Sequence, residues 1–327
     1  MVLRQADLLV RRGHRVTVIS RGKAPDWYSP EAEFLTLPDL DPAARPPADV
    51  TVATYWTTLA PACQSQGEVV HYCQGYEASY SHNGSEHDAI RLAYQTPVPA
   101  ITVSEHLAEL VRRQFRRPAR RVLQPLEPEW SPRPAGQPSD PPRILVASPF
   151  EIDWKGVATA LDAVRHLRQR GVPCRLVRLS QWPLPAEETA LLPADEAHIG
   201  IPPRQVPDLV RSCDLLLAPS WEAEGFGLPV LEAMASGVPV VASDIACFRG
   251  FAAGAAALVP PRDGLAFAAA AGALLDDPER WREGRRAGLA VADAFAEEKA
   301  AADAESALRW VASGAWKREA VRSGRES

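Results

Sequence analysis

The sequence CDLLLAPSWEAEGFGLPVLEAMASGVPVVASD, residues 213–244, contributes more to the predicted fold than any other stretch of the chain. Its apolar start predicts a buried strand that ends at Pro219. A helix is predicted from near Pro229 to Gly237, because proline suits the first positions of a helix and glycine often follows the last one. The apolar run Pro239–Ala242 predicts the next strand. This order of elements is typical of a parallel sheet covered by helices.

The alternation of strand and helix patterns continues on both sides of this stretch. Short apolar runs predict strands at GHRVTVIS (residues 13–20), Val50–Ala53, Val69–Tyr72, Ala100–Val103, Val122–Gln124, Arg143–Ala147, Cys174–Leu179 and Leu215–Ala218. Helical patterns lie between them, such as SEHLAELVRRQF (residues 104–115) and Val157–Arg170. Both halves of the chain are therefore predicted to be α/β domains with parallel sheets.

A proline-rich segment, PLEPEWSPRPAGQPSDPP (residues 125–142), separates the two halves and suits neither a helix nor the interior of a sheet. We predict a first domain of residues 1–130, a linker of residues 131–142 and a second domain of residues 143–295. Residues 296–327 are predicted to form a long amphipathic helix that packs back on the first domain. Because open α/β sheets bind ligands at the carboxyl ends of their strands, we expect the site in a cleft between the domains.

Composition and charge exclude several classes of function. The chain of 327 residues has a formal net charge of −5, so it lacks the basic field of nucleic-acid-binding proteins, and no nucleic acid is expected as a partner. The longest nearly apolar stretch, Leu265–Leu275, is far shorter than the roughly 20 residues that cross a membrane. The five cysteines show no metal-ligand spacing, which predicts reduced thiols in a cytoplasmic protein.

The loop within the opening stretch combines an anion site with two carboxylates. Gly225 and Gly227 let a ligand approach the backbone, and the start of the following helix offers N–H groups to an anion. Glu224 and Glu232 would repel an anion if they faced it, so we expect them to accept hydrogen bonds from hydroxyl groups. A ligand with phosphates and many hydroxyls is a nucleotide sugar. The alternative is a plain crossover with two surface glutamates.

The segment EGFGLPVLEAMASGVPVV, from Glu224 to Val241, resembles the signature of glycosyltransferase family 4, in which seven residues separate two glutamates. The resemblance is strong over residues 140–300 and weaker before them. It implies a GT-B fold of two facing Rossmann-like domains, the first of them on the acceptor side, and retaining sugar transfer. A dinucleotide-binding loop is the competing interpretation, but Val230 stands where its third small residue would be.

The resemblance also implies ligands and residue roles. The donor would be a nucleotide-diphosphate sugar, with no metal or other cofactor required, and the acceptor a hydroxyl of a glycan, a lipid-linked molecule or a small molecule. Glu224 would contact hydroxyls of the donor sugar, and Glu232 the ribose. The backbone of the loop between them would hold the departing diphosphate: Gly225, Phe226, Gly227 and Leu228.

A lysine at a predicted strand-to-helix turn suggests a second contact to the diphosphate. Only four of the 36 basic residues are lysines, which leaves 36 − 4 = 32 arginines, yet Lys155 precedes Gly156 in EIDWKGVATALDAV (residues 151–164). A compact ammonium suits a diphosphate, and the segment is similar to the family's KG element, although chance remains the alternative. The family's usual arginine, a few residues earlier in GRL, is absent from the text SPFEIDW.

The first domain offers three candidates after a predicted strand, in VVHYCQGYEASY (residues 69–80). For His71, two interpretations stay open: a ring packed in the core, or a ring that contacts the donor sugar as in relatives. Gln74 and Glu77 belong to a QxYE element that is similar to one in polysaccharide and rhamnose transferases. The resemblance implies that this pair faces the sugar and that the protein serves bacterial polysaccharide biosynthesis.

Two polar clusters have simpler explanations than a site. The loop SHNGSEHDA (residues 81–89) holds potential metal ligands, but no spacing fits zinc, and no metal is expected. The six arginines of RRQFRRPARR (residues 112–121) suit the end of a helix. The alternative is a patch for an anionic acceptor or for peripheral contact with the inner face of the membrane.

Family members begin with a strand and a GG loop, whereas this chain begins in the following helix, MVLRQADLLVRRGHRVTVIS (residues 1–20). We therefore expect the first strand and the glycine-rich loop to be missing, with a start assigned too far downstream as the favoured explanation. A catalytically silent nucleotide-sugar-binding or scaffold protein is an alternative function. A nucleotide-sugar 2-epimerase is another, which the two spaced glutamates disfavour.

Overall fold

The computed structural model describes residues 2–134 and 136–323, and the chain divides into two compact units. Unit 1 comprises Met1–Pro125 and Phe295–Ser327, and unit 2 comprises Leu126–Ala294. All paired strands that the structure describes run parallel. The predicted α/β class is confirmed.

Unit 1 contains two separate parallel sheets. Its elements up to residue 125 are α1 (Val2–Arg11), β1 (Thr17–Ser20), β2 (Glu33–Thr36), β3 (Val50–Ala53), α2 (Trp56–Ala62), β4 (Glu68–Cys73), α3 (His87–Tyr94), β5 (Ala100–Thr102), α4 (Glu105–Phe115) and β6 (Ala119–Arg121). Strands β1 and β2 form one sheet, and the other has the order β3-β4-β5-β6. Within the described residues, no strand connects the two sheets.

Unit 2 is built on a single six-stranded parallel sheet with the order β12-β11-β10-β7-β8-β9. Its elements are β7 (Arg143–Ala147), α5 (Val157–Gln169), β8 (Arg175–Ser180), α6 (Ala186–Leu191), β9 (Glu196–Ile199), α7 (Val206–Arg211), β10 (Leu215–Ala218), α8 (Leu228–Ala235), β11 (Val240–Ser243), α9 (Ala246–Ala252), β12 (Ala257–Val259), α10 (Gly264–Leu275) and α11 (Pro278–Asp293). A short 3₁₀ helix, Asp153–Lys155, precedes α5.

The sheet of unit 2 is covered on both faces. Every residue of β10 and β11 is buried, which requires packing on either side because successive side chains of a strand point to opposite faces. The apolar residues of α5 and α10 pack together with one another and with Ile144 and Leu217 in one core cluster. Helix α8 packs against α11, where Gly288 lies directly beside Met234. In β10 and β11 the one polar side chain, Ser243, lies at a strand end.

The last part of unit 1 consists of two helices, α12 (Glu297–Ala312) and α13 (Ala315–Ser323). The single helix predicted over residues 296–327 is therefore wrong: Gly314 has a φ of 65°, which ends α12, and residues 324–327 lie outside the described residues. Ion pairs join α12 to α1, where Arg12 Nε donates to Glu305 at 2.6 Å. Trp316 of α13 donates to Glu68 of β4 at 3.1 Å.

The proline-rich segment lies against the amino-terminal edge of the unit 2 sheet. Arg133 Nη1 donates to Asp214 Oδ1 at 2.9 Å and to the Cys213 carbonyl at 2.7 Å, and Ser139 also donates to Asp214. The units change at Pro125, whereas the sequence analysis placed the end of the first domain at residue 130. Residues 131–142, predicted to be a linker, are part of unit 2 by these contacts.

The strand predicted at Val122–Gln124 is wrong by three residues. The structure places β6 at Ala119–Arg121, where it pairs with β5 through Ala119 and Ala100. Two exposed arginines hide this strand from a search for apolar runs, and such charged residues are common on edge strands. Among the described residues, no helix is both long enough and apolar enough to cross a membrane.

Asp277 is expected to stabilise α11 from its N-cap position. Its carboxylate accepts hydrogen bonds from the backbone N–H groups of Glu279 at 2.9 Å and Arg280 at 3.2 Å. Asp277→Ala should lower the free energy of unfolding by about 1 kcal/mol, because two N–H groups lose their acceptor. Urea unfolding followed by tryptophan fluorescence measures the change. Asp276→Ala, at the exposed neighbouring position, is the control, and an equal loss in both variants would contradict the capping role.

Candidate active site

A small pocket opens in unit 2 where the sequence predicted a ligand, at the carboxyl ends of two central strands. Ala147 and Ser148 at the end of β7 and Ala218 at the end of β10 line it, together with Lys155 and Glu224. Parallel α/β sheets carry their ligands at this edge. The pocket thus brings together two of the residues predicted from separate motifs.

Lys155 and Glu224 form a direct ion pair in this pocket. Lys155 Nζ donates to Glu224 Oε2 at 2.7 Å, and only 5% of Glu224 is exposed. Burial would raise the pKa of Glu224, but the charge and hydrogen bond of Lys155, with further hydrogen bonds from Ser220 and the Phe226 backbone, lower it overall. Glu224 is therefore an anion at neutral pH and can accept hydrogen bonds but cannot donate them.

Two glycines at left-handed φ allow the loops to approach each other around the pair. Gly156 has a φ of 65°, and a Cβ there would lie 2.2 Å from the Pro219 carbonyl oxygen. Gly227 has a φ of 84°, and a Cβ there would lie 2.3 Å from the ring of Phe248. No other residue type fits either position without a shift of its surroundings. Glycine is therefore required at position 156, next to Lys155, and at position 227, shortly after Glu224.

Both glycines also stand at the starts of helices. Gly156 is the N-cap of α5 and Gly227 the N-cap of α8, and neither helix has a side-chain cap. Helix starts carry a partial positive charge and unpaired N–H groups, which favour an anion. Lys155 adds a full charge at the same place. The pocket therefore combines two helix starts and an ammonium group around one carboxylate.

Aromatic packing holds the loop between Glu224 and α8 in place. Phe226 is buried and stacks on Phe251 with ring centroids 4.6 Å apart, and its carbonyl accepts a hydrogen bond from Cys247 Sγ at 2.9 Å. Gly225 is buried as well, and Leu228 is the first residue of α8. Phe226 can thus serve a ligand only through its backbone.

Glu232 lies on the second turn of α8 and is half-buried. Burial, with the negative charge of Glu127 as a second cause, raises its pKa to about 7, which Lys155 partly opposes. The two glutamates of the motif therefore differ in charge near neutral pH. Glu224 is ionised, whereas Glu232 changes its protonation state in this range.

Sequence analysis missed two residues that shape the pocket. Ser220 is buried and hydrogen bonds to Glu224 from the residue pair that follows β10. Trp221 donates its backbone N–H to the Trp154 carbonyl at 2.7 Å, and the guanidinium of Arg262 lies 4.3 Å from its ring centroid. The position of Ser220 directly after a buried strand was a usable signal. Trp221 could not be identified in this way, because Arg262 is distant from it in the sequence and no local pattern indicates their contact.

In unit 1, His71 lies inside the four-stranded sheet. It is fully buried in β4 between Ala53 and Ala100, and its ring meets that of Tyr94 edge-on at 4.9 Å. Neither ring nitrogen has a hydrogen-bond partner among the described residues. Burial, helped by the charge of Arg117, lowers its pKa to about 3, so the ring is neutral. Of the two interpretations left open, this position corresponds to the packed one.

Gln74 and Glu77 lie just beyond the end of β4, where each has a partner in unit 1. Gln74 is half-buried and donates from Nε2 to the Thr54 carbonyl at 3.1 Å. The carboxylate of Glu77 is buried, accepts the Tyr94 hydroxyl at 2.6 Å and hydrogen bonds to the backbone of Trp56 at the start of α2. Burial raises the pKa of Glu77 in spite of these contacts. Both side chains thus hold the loop after β4.

The two polar clusters of unit 1 lie in its helices, in strand β6 and in the turn between α4 and β6. Within residues 2–134 and 136–323, no group of three or more His, Cys, Asp or Glu side chains could hold a metal ion. Arg117, one of the six clustered arginines, is buried and donates to the carbonyls of Val98 at 2.7 Å and Tyr94 at 2.9 Å. It is a structural residue and does not contribute to a charged surface patch.

Comparison with known proteins bears on the same part of the chain. Residues 141–277 match the family model of glycosyl transferases group 1. The matched range contains the whole pocket, from Ala147 to Phe248, and also Glu232. The match therefore covers most of unit 2.

Similar proteins extend this match. The MMP alpha-(1->4)-mannosyltransferase of Mycolicibacterium hassiacum is 35% identical over 161 residues, which are 46% of this chain and 39% of that protein. The chain thus spans about two fifths of that relative's length. Sucrose-phosphate synthase from Thermosynechococcus elongatus shares the fold with a TM-score of 0.79 at 18% identity, over 96% of this chain and 93% of that one. Anabaena HepE in complex with UDP-glucose has a TM-score of 0.65 at 15% identity, over 80% and 78%. The predicted GT-B fold is confirmed.

Alanine at position 156 is expected to be far more damaging than at another glycine with the same backbone conformation. Gly156→Ala adds a clash with the Pro219 carbonyl, whereas Gly171, with a φ of 79°, has no atom within 4 Å of its added Cβ. We expect a loss of about 3 kcal/mol or more in the free energy of unfolding for Gly156→Ala and about 1 kcal/mol for Gly171→Ala. Urea unfolding compares the two. Similar losses would show that the close approach at Gly156 is unimportant.

Glu232 should make the stability of unit 2 fall with rising pH. Its pKa is about 7 in the folded protein and 4.5 ordinarily, so between these values the unfolded chain loses the proton first. The loss of stability caused by ionised Glu232 is absent below pH 4.5 and complete above pH 7. Above pH 7, Glu232→Gln should therefore be more stable than wild type by up to about 3 kcal/mol. Urea unfolding at pH 5 and pH 8 tests this, with Glu283→Gln on exposed α11 as the control. A constant difference between wild type and Glu232→Gln would contradict the raised pKa.

Proposed function

We propose that this protein is a retaining glycosyltransferase, which moves a sugar from a nucleotide-diphosphate sugar to a hydroxyl acceptor. The observation that carries the proposal is the ion pair between half-buried Lys155 and buried Glu224, next to the starts of α5 and α8. It combines positive groups for a diphosphate with a fixed anion for hydroxyls. The group 1 glycosyl transferase match over residues 141–277 supports the same function.

The diphosphate would bind between the two helix starts. The ammonium of Lys155 and the backbone N–H groups after Gly156 and Gly227 are the positive groups of the pocket, and the negative charge on the leaving diphosphate grows during sugar transfer. Because Lys155 has three N–H donors, it can keep its contact to Glu224 while it binds a phosphate oxygen.

The donor sugar would be oriented by Glu224. The carboxylate is ionised and already accepts from Lys155, Ser220 and the Phe226 backbone, so its direction is fixed before a sugar arrives. Such preorganised acceptors bind hydroxyl groups without a reorganisation cost. Glu232, which lies on the second turn of α8 and has a pKa of about 7, would accept a hydrogen bond from a ribose hydroxyl.

In the proposed reaction, the bond between the anomeric carbon and the phosphate oxygen breaks, and its electron pair stays on the diphosphate. The acceptor oxygen bonds to the same face of the anomeric carbon, and its proton passes to the departing phosphate oxygen. This front-face path needs no protein nucleophile. The acceptor is a hydroxyl of a glycan, a lipid-linked molecule or a small molecule. Gln74 and Glu77 remain candidates for contact with the donor sugar through the family resemblance alone.

Transfer should depend on the Lys155–Glu224 pair. The protein is incubated with GDP-mannose, as the mannosyltransferase relative suggests, and with UDP-glucose, which HepE binds. Release of GDP or UDP is measured with and without a panel of hydroxyl acceptors. Lys155→Met and Glu224→Gln, which keep the side-chain shapes, should each lower kcat about 10²–10³-fold, because each removes a fixed charge from the reacting groups.

The control is Lys23→Ala, because Lys23 is an exposed lysine of unit 1. It should leave nucleotide release unchanged, and a melting curve checks that every variant is folded at the assay temperature. Binding without turnover would favour the silent nucleotide-sugar-binding protein. Recovery of an epimerised donor would favour the 2-epimerase. Equal activity of Lys155→Met and wild type would refute the role of the pair.

A further inference from the structure

A second ion pair of unit 2 joins Arg178 on strand β8 to Glu188 on helix α6. The side chain of Arg178 on β8 is 0% exposed and that of Glu188 on α6 is 2% exposed. Arg178 Nε donates to Glu188 Oε1 at 2.5 Å, and Nη2 lies 3.3 Å from Glu188 Oε2. A buried ion pair is seldom more stabilising than apolar residues of the same size, because both charges lose their water. The presence of Arg178 between the apolar residues Val177 and Leu179 calls for another explanation.

The remaining donors of Arg178 are directed at the end of β7. Nη1 donates to the Val146 carbonyl, and Nη2 donates to the Ser148 carbonyl at 2.9 Å. On the other side of the same residue, the Ser148 N–H donates to the Leu179 carbonyl at 2.9 Å. The N–H group of Ser148 is therefore hydrogen bonded to the backbone of β8, and its carbonyl to the Arg178 side chain of the same strand. The guanidinium of Arg178 thus binds the backbone at two positions, Val146 and Ser148, at the point where β7 ends and the pocket begins.

Ser148 needs this support because its backbone is strained. Its φ of 125° lies in a region that residues other than glycine rarely adopt. Ser148 also lines the pocket together with Lys155 and Glu224. Its conformation directs the segment that leads from β7 to Lys155. A change in that conformation would move the ammonium group relative to Glu224.

We propose that Arg178, with its charge balanced by Glu188, is a positioning residue of the diphosphate site. Its hydrogen bonds keep Ser148 in the strained conformation. Lys155 and the start of α5 are thereby positioned to bind the diphosphate of the donor. This inference rests on the proposed function, since it assigns a role in binding the nucleotide diphosphate. Arg178 itself touches no ligand, because its guanidinium is wholly buried.

The first experiment measures binding of UDP and of GDP by calorimetry to the full chain. Arg178→Lys keeps the charge beside Glu188 but loses the forked contacts to two carbonyls. We expect the dissociation constant of whichever nucleotide binds to rise about tenfold, with a similar rise in donor KM and a smaller change in kcat. Arg133→Lys is the matched control, because Arg133 also pairs with a buried carboxylate, Asp214, and with a backbone carbonyl, but at the opposite edge of the sheet.

The second experiment asks whether Arg178 acts through Ser148. Glycine adopts a φ of 125° without strain, so Ser148→Gly should reduce the penalty of Arg178→Lys from about tenfold to about threefold. A residue that only stabilised the fold would show no such rescue. Should Arg178→Lys not fold, the pair Arg178→Met with Glu188→Leu takes its place, since it leaves no buried charge unpaired.

The outcomes separate the two proposals. If wild type binds neither UDP nor GDP, the proposed function fails and this inference fails with it. If wild type binds and Arg178→Lys binds equally well, the positioning role alone is overturned. Equal weakening in Arg178→Lys and Arg133→Lys, or no rescue by Ser148→Gly, also overturns it. Selective weakening with rescue supports it.

Discussion

The sheet of unit 2 is covered on both faces, and this constraint decides where polar chemistry can lie. Inside the sheet, the backbone groups pair with one another and the side chains of β10 and β11 are buried. Polar side chains therefore cluster beyond the strand ends, where Ser148, Ser220 and Glu224 line one pocket. Arg178 is an exception inside the sheet, and it is tolerated because Glu188 and two carbonyls take up its donors.

The central elements of the fold could be predicted because burial leaves a signal in the sequence. β7 and β10 have the predicted bounds, since each is a short run of largely apolar residues. The edge strands β2, β9 and β12 were not predicted: β2 and β9 each include a glutamate, which interrupts an apolar run, and β12 is only three residues long. The break at Gly314 was missed because the helical pattern continues on both sides of a single glycine.

The candidate site was predictable where its chemistry is local. Glu224, Gly227 and the start of α8 lie within one motif, and Lys155 stands beside a glycine at a strand end. Their direct contact at 2.7 Å depends on two loops that lie side by side because Gly156 has no Cβ, which no single motif contains. The same limit applies to Ser148, whose strained φ follows from tertiary hydrogen bonds, and to Glu77, whose carboxylate meets Tyr94 and the start of α2.

Unit 1 is assembled from the two ends of the chain, so unit 2 is in effect an insertion within it. The insertion runs from residue 126 to 294, which is 294 − 126 + 1 = 169 residues. Helix α1 finds its partner α12 only after that insertion has left the ribosome, whereas unit 2 has all of its strands beforehand. Synthesis therefore favours folding of unit 2 first, and a folded insertion holds its ends closer than a loose chain of that length. Helices α1 and α12 would then pair only after the sheet of unit 2 has formed.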